Sequence, residues 1–471
     1  MNRGGREPFS LFAIISTQFL KKAPDPVISM RVLLLATTTG YQTRAFGDAA
    51  ERLGVELVFA TDRCRNLDDP WRDGAIAIRF HDEAASVAAI VDAARDRPID
   101  GLLAVGDQPT VIAARVAQAL GLPGHPPEAS AAARNKQATR ECLREAGLSV
   151  PWFFTVPVTA DPDAIASSLA FPCVIKPLAL SGSRGVMRAD NPASFREAFL
   201  RLRALLQTPD IHAKRNTEHG TVLVEGFIPG REFAVEGLLH HGVLHVLAVF
   251  DKPDPLDGPF FEETIYLTPS SWPEAGQRAI VDVVGRAAKA LGLRHGPVHA
   301  ECRVNEEGVF ILEVAARPIG GLCARALRFQ QGVGSLFQFL PEAPAEIEKG
   351  SRPLEEILLR HALGESPDRW TREPLASGVM MIPIPRRGVF RGVAGLAGDA
   401  GACAVEHIDE VRITAKPDQL LTPLPEGASY LGFIFARAAD AAAVDRALRA
   451  AHARLRFAIE PEWPVVQSRH G

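Results

Sequence analysis

The chain lacks the usual cysteine signatures. Its six cysteines, Cys64, Cys142, Cys173, Cys302, Cys323 and Cys403, include no C-x-x-C pair and no cysteine–histidine spacing of a zinc site. Reduced thiols in a cytoplasmic protein are the simplest reading. Basic charge is not in excess either, with 52 Lys and Arg against 56 Asp and Glu for a net charge of −4, which argues against a nucleic-acid partner. No apolar run approaches the ~20 residues that a membrane span requires. The short run Phe9–Leu20 follows Arg3 and Arg6, stops at Lys21 and Lys22, and has no clean small-residue cleavage site. Residues 1–29 therefore read as a disordered extension ahead of the first strand. Two phosphate-binding fingerprints are also missing. The turn after the first strand, Thr37-Thr-Thr-Gly-Tyr-Gln, is not G-x-G-x-x-G, and no G-x-x-x-x-G-K-[ST] occurs anywhere. A dinucleotide cofactor and a P-loop are both excluded on that ground. There is no repeat of fixed period, and Val379-Met-Met-Ile carries no lysine of a biotinylation site.

What is present is a chain of 471 residues, 47% hydrophobic and 23% charged, the composition of a globular protein with two or three domains. From 30 to 122, short apolar strands alternate with amphipathic helices, which predicts a Rossmann-like parallel α/β unit. After a Pro- and Gly-rich link, a helix over Ala131–Ala146 carries Lys136. Next comes a strand ending in Lys176 and a loop of Ser181, Gly182, Ser183, Arg184 and Gly185, whose backbone N–H groups could wrap an anion. The segment Val222–Glu236 reads as a strand, a Pro-Gly turn and a return strand, with Glu225 at the first end and Glu232 opening the second. Lys252 follows the strand His245–Phe250. Residues 342–366 read as a linker with one helix. Residues 378–461 read as a small α+β module, with strands Val379–Pro385 and Ser429–Ala436 and a helix over Ala438–Arg454.

The most informative segment is Pro297-Val-His-Ala-Glu301-Cys-Arg-Val followed by Val309-Phe-Ile-Leu-Glu313-Val-Ala-Ala-Arg317. The turn Asn305-Glu306-Glu307-Gly308 predicts a hairpin in which Glu301 lies opposite Glu313. Ala300, Cys302, Val304, Phe310, Leu312 and Val314 alternate as the apolar face. Two carboxylates directly across a ladder have Cβ atoms about 4.5–5.5 Å apart and repel each other unless a cation lies between them. A hard divalent ion with oxygen ligands meets that need.

Taken singly, Lys136 would be a solvated helix lysine, Glu225 a strand-end ion pair and Glu232 a charge on a half-exposed strand. In order, Lys136, Lys176, the Ser/Gly loop, Glu225, Glu232, Glu301 and Glu313 resemble the ATP-grasp superfamily, over about 131–340. The implied fold is a mixed α/β and α+β multidomain chain: the α/β unit 30–122, an ATP-grasp domain 123–341 with a lid at about 150–232, and a C-terminal module 342–471. The resemblance implies that Lys136, Lys176 and the loop residues Ser181, Gly182, Ser183 and Gly185 contact ATP phosphates. It further implies that Glu225, Gly226, Phe227 and Ile228 form the adenine hinge, that Glu232 bonds ribose, and that Lys252 lies at the nucleotide. Glu301 and Glu313 become the ligands of Mg2+, with Mn2+ as the alternative ion. Many members carry asparagine two residues after the second metal glutamate, where this chain has Ala315. Arg317 matches an arginine near the reacting phosphate and carboxylate, and with Lys176 it is the expected catalytic group.

The run Glu313–Gly321, His299-Ala-Glu301, Asp251-Lys252-Pro and the extra C-terminal module are similar to the L-amino acid ligase branch. That likeness implies amide formation between small carboxylate and amine substrates through an acylphosphate, with ADP released. It implies neither a nucleic-acid nor a membrane partner, and a homodimer is the common prior. Arg317→Ala and Glu313→Gln are expected to abolish ligation and leave the fold intact. The alternatives are a bicarbonate-activating ligase of the biotin carboxylase type and a non-catalytic ATP-binding module, the latter favoured by Ala315.

Overall fold

Val32, Leu33, Leu34 and Leu35 are buried on both faces of the first strand, as the continuous apolar run of a central parallel strand requires. The computed structural model describes residues 30–37, 43–62, 75–332 and 350–462. The expected extension 1–29 and most of the first turn, 38–42, lie outside them. Strands β1 (Arg31–Ala36), β2 (Glu56–Thr61), β3 (Ile76–Ala77) and β4 (Gly101–Val105) form a parallel sheet in the order β3-β2-β1-β4. Leu33 and Leu35 face one core. Val32 and Leu34 face another that also holds Ile357 and Leu358 of the helix Leu354–Ala362 and Phe250 and Phe433 of the central sheet. The α/β unit is thus packed so that the carboxyl end of β4 delivers Asp107 to the cleft described below.

The expected helix over Ala131–Ala146 is two helices, Pro127–Arg134 and Lys136–Glu145. Asn135 leaves helical geometry and caps the second helix, its side chain accepting from the N–H groups of Gln137 and Ala138. Asparagine favours this because its side chain replaces a backbone acceptor. Lys136 therefore opens a helix, rather than lying within one.

Glu225 and Glu232 are not on paired strands, contrary to the expected turn and return. β5 (Phe153–Pro157), β6 (Cys173–Pro177), β7 (Met187–Ala189) and β8 (Thr221–Gly226) make an antiparallel lid sheet, order β5-β8-β6-β7. Its core is Phe195, Phe199 and Leu202 of a covering helix against Val222 and Val224. β9 (Arg231–His240) belongs to a different sheet. Pro229-Gly230 is the crossing between the two, and Gly230, at φ +120°, lies so close to the Val304 carbonyl that no Cβ would fit.

That second sheet has eight strands. β13 (Gly308–Ala315), β12 (Gly296–Asn305), β9, β10 (Val243–Asp251) and β11 (Ile265–Thr268) run in that spatial order and continue into Ala376–Ile382, Gly432–Ala438 and Ile408–Ile413. The strands expected in the C-terminal module therefore extend the central sheet, and the helix Ala441–Arg454 covers them. Glu301 does pair with Glu313 across β12 and β13, but a bulge follows, with Cys302 opposite Ile311. The extra residue is Leu312. It reverses the expected alternation: Ile311 joins the core, Leu312 lines the cleft, and Phe310 lies opposite Arg303. No helix among the described residues is long and apolar enough to cross a membrane.

Candidate active site

A cleft of about 460 Å3 opens between the lid sheet, the central sheet and the loops that end β4 and precede the strand Gly432–Ala438. On the lid side, Glu225 is buried and accepts two hydrogen bonds from Arg140, at 2.8 and 3.2 Å, and one from Lys176 Nζ at 2.5 Å. Burial opposes ionisation of Glu225, but Arg140 and Lys176 outweigh it and hold the carboxyl at about 2. Lys176 goes the other way. Burial, aided by Arg140 and Lys136, outweighs the Glu225 charge and lowers the ammonium to about 8. The two partners differ because Glu225 serves two cations while each cation has only a share of it. Lys136 Nζ donates to the Leu180 carbonyl at 2.7 Å, at the mouth of the Ser181–Gly185 loop. Gly182, Ser183 and Gly185 all have positive φ. Gly185 N–H donates to the Pro425 carbonyl at 2.9 Å and Arg184 Nε to the Glu426 carbonyl at 2.8 Å, so the C-terminal region holds this loop.

The segment Gly226–Ile228 lies alongside. Gly226 N–H donates to the Trp152 carbonyl at 2.9 Å and Phe227 N–H to the Pro172 carbonyl at 3.1 Å. The Phe227 ring stacks on Phe261 with Arg188 over its face, and Ile228 gives its carbonyl to Arg303 at 2.8 Å.

The sheet side is acidic. Glu232 accepts from Lys252 at 2.8 Å on one oxygen and from Arg303 at 2.9 Å on the other. An ionised carboxylate has about four lone-pair sites, so acceptor capacity remains. Lys252 Nζ also reaches Glu263 at 2.6 Å and Glu301 at 3.1 Å. All three of its donors therefore end on carboxylates, and Lys252 fixes the acidic wall instead of reaching outward as a phosphate ligand. Burial and then the Glu301 charge push Glu263 up to about 7. Burial would also raise Glu301, but Lys252 and His299 override it and hold it well below the usual range.

Contacts to Glu301 from Lys252, Tyr266 Oη (3.2 Å) and His299 Nε2 (3.6 Å) all go to Oε1. Glu313, opposite, is half-buried and has Arg317 Nη2 at 3.9 Å as its cation. Among the described residues no single cation lies within ion-pair distance of both glutamates. A hard cation with oxygen ligands fits that gap, since it needs only one or two protein carboxylates. Ala315 is buried opposite His299, whose Nδ1 lies 3.1 Å from Glu236.

Arg317 is gripped by Asp107 through two bonds, Nε at 2.8 Å and Nη2 at 3.2 Å. Burial opposes ionisation of Asp107, yet Arg317 keeps its carboxyl below the ordinary value. An arginine expected to act only on substrate also joins the α/β unit to the central sheet. Its removal would take the ion pair from Asp107 and leave it only Ser181 and the Lys136 charge, so Arg317→Ala is expected to cost stability as well.

Residues 169–326 match the model of the ATP-grasp domain, 47–124 that of the ATP-grasp N-terminal domain, and 380–460 that of L-amino acid ligase C-terminal domain 2. The chain carries the ATP-grasp domains. Its domain set is that of ATP-grasp ligases that form carbon–nitrogen bonds. The crystal structure of L-amino acid ligase from Bacillus licheniformis superposes with a TM-score of 0.73 at 25% identity, covering 92% of this chain and 99% of that one. An uncharacterised protein, y4rH, of Sinorhizobium fredii is 24% identical over 92% of this chain and 84% of its own length. Carnosine synthase 1 of Gallus gallus is 31% identical over 52% of this chain, which spans only 27% of that relative's length.

Several groups of this ATP-grasp cleft escaped the sequence reading. Arg140 lies four residues after Lys136, hence on the same helix face. His299 and Arg303 flank Glu301 at two-residue spacing, hence on the same strand face; the alternation that found Glu301 would have found them. Asp107 follows the carboxyl end of a parallel strand, where such sheets place ligand groups. Met381, Tyr430 and Phe433 reach the cleft from the C-terminal strands, and nothing local in their sequence marks them.

Proposed function

We propose that the protein is an ATP-dependent ligase that joins two small substrates, an amino acid carboxylate and an amine of a second amino acid, and releases ADP and phosphate. The observation that carries this reading is one cleft with a cationic wall at Lys136 and Lys176, backed by the buried Arg140, an acidic wall at Glu301 and Glu313, and Arg317 between domains beside it. A carboxylate is a poor electrophile, so its carbon must first gain a leaving group. A substrate carboxylate oxygen attacks the γ-phosphorus, the bond to the β-phosphate oxygen breaks, and ADP departs. The amine nitrogen then attacks the acyl carbon, the carbon–oxygen bond to phosphate breaks, and the nitrogen loses a proton.

The chain's work is positioning and charge. Lys136 and Lys176 neutralise phosphate oxygens, and the Ser181–Gly185 loop closes over them and excludes water. Arg317, aimed by Asp107, presents its fork to the carboxylate and later to the oxyanion. Glu301 and Glu313 would hold Mg2+ or Mn2+, which supplies charge neutralisation on the phosphates. Gly226–Ile228 and Glu232 receive adenine and ribose. The reading goes with a cytoplasmic protein of small-molecule partners. The test is a phosphate-release screen with ATP, Mg2+ and paired amino acids, followed by mass analysis of condensed products. Turnover that requires bicarbonate instead of an amino acid pair would support the carboxylase type. Nucleotide binding with no turnover across the panel would sink the ligase reading.

A further inference from the structure

At the end of the central sheet away from the paired glutamates, three histidines from three separate segments converge. His240 ends β9, His295 precedes β12, and His361 lies in the last turn of the helix Leu354–Ala362. One ring nitrogen from each can be chosen so that all lie within 4.8 Å of one another. The backbone places them firmly. His241-Gly242 is a two-residue turn with φ +51° and +89°, the primed type that fits a twisted hairpin, and Gly242 N–H donates to the Arg294 carbonyl at 2.7 Å. That bond ties the β9–β10 turn to the segment carrying His295. The helix end that carries His361 is seated against β4, where a Cβ on Gly101 would come 2.6 Å from the Ala362 carbonyl.

His295 and His361 are buried. Both ring nitrogens of His295 are shielded from solvent and make no hydrogen bond; the His361 backbone is near enough to be felt, but not in bonding geometry. A buried polar group without a partner costs ~1–3 kcal/mol, so two such nitrogens on one ring call for a ligand. His240 Nδ1 and His361 Nε2 are 3.3 Å apart, within hydrogen-bond reach of each other when one of them carries the proton. Two nitrogens at ~2.0–2.1 Å from a tetrahedral zinc are separated by about 3.3–3.4 Å. His295 and His361 also line a small cavity of about 40 Å3, more than the ~10–15 Å3 that a single water needs.

We propose that His240, His295 and His361 form a three-imidazole site for a borderline divalent transition metal, zinc foremost, which clips the helix Leu354–Ala362, itself packed on the α/β unit, to the central sheet. Imidazole nitrogen selects such ions over Mg2+ and Ca2+. Burial and the neighbouring imidazoles keep His295 near 4 and His361 near 3, so both stay in the neutral form that ligates. Water completes the shell on the His240 side, where the cluster is half open. Asp368, the carboxylate whose charge reaches His240, is held by His245 at 2.8 Å. The site shares no residue with the nucleotide cleft.

The deciding experiment uses the full chain without a polyhistidine tag, stripped with a chelator and titrated with Zn2+ against a chromophoric zinc chelator in excess Mg2+. One equivalent should bind per chain, and Zn2+ should raise the thermal midpoint. Loading with Co2+ should give the strong visible bands of a tetrahedral nitrogen site. His240→Ala, at a half-exposed position, should weaken zinc at least about tenfold and abolish the thermal shift, whereas His81→Ala, an exposed histidine of another segment, should change neither. Wild-type protein that fails to compete with the chelator, weak octahedral Co2+ bands, or unaltered zinc binding by His240→Ala would each overturn the proposal.

Discussion

The two walls of the cleft are built from the same side chains in opposite proportions. On the lid wall Arg140 and Lys176 share a single carboxylate, Glu225, and Lys136 adds its charge beside Lys176. On the sheet wall six carboxylates, Asp107, Glu232, Glu236, Glu263, Glu301 and Glu313, face four cationic groups, Lys252, Arg303, Arg317 and His299. Each wall alone is electrostatically incomplete, since a buried excess of one sign costs several kcal/mol. A ligand carrying anionic phosphates and a divalent cation answers both at once. The contrast is the one that the proposed metal-bound nucleotide would answer, and neither a bare phosphate nor a bare metal would answer both walls.

The sharpest way to break this contrast is Glu225→Gln. It leaves Arg140 and Lys176 facing a neutral amide and is expected to cost ~3–5 kcal/mol, read as a lower urea midpoint. An unchanged midpoint would mean that the lid wall is not under charge strain. Glu313→Gln on the other wall should do the reverse: stability shifts by less than about 1 kcal/mol because the group is half-exposed, while phosphate release falls by about 10²–10³. Wild-type turnover in that variant would remove Glu313 from the reaction.

The pH response sharpens the same point. Lys176 sits at about 8, below its ordinary value, so it is charged below that pH and neutral above it. The apparent affinity for ATP should therefore fall as pH rises through 8, and Lys176→Arg should move the fall upward. A flat profile from 7 to 9.5 would count against Lys176 as a phosphate contact. Tyr266→Phe removes one donor from Glu301, and about 1–2 kcal/mol of stability should go with it; a double variant with Glu301→Gln should then show less than the sum.

The hairpin pairing of Glu301 with Glu313 was legible because turn chemistry and two-residue alternation act locally. Local rules stopped at the bulge. Leu312 is as apolar as its neighbours, and only the register on β12 turns it to the cleft. Nor does the sequence separate β8 from β9, since a Pro-Gly pair serves a hairpin turn and a crossing between sheets equally well. The anchoring of Arg317 by Asp107 spans 210 residues, and no periodicity reaches so far. The ordered resemblance supplied what local physics could not, namely that lysines and glutamates on separate segments converge. It did not reveal that Lys252 spends its donors on carboxylates.

One consequence follows from the continuous eight-stranded sheet. β11 is only four residues long, and the strand Ala376–Ile382 covers its outer edge. A fragment cut near residue 375 would keep every group of both charged walls and still present a bare row of N–H and C=O groups at Ile265–Thr268. Such an edge recruits other chains, so the truncated protein should clump before its chemistry could be judged.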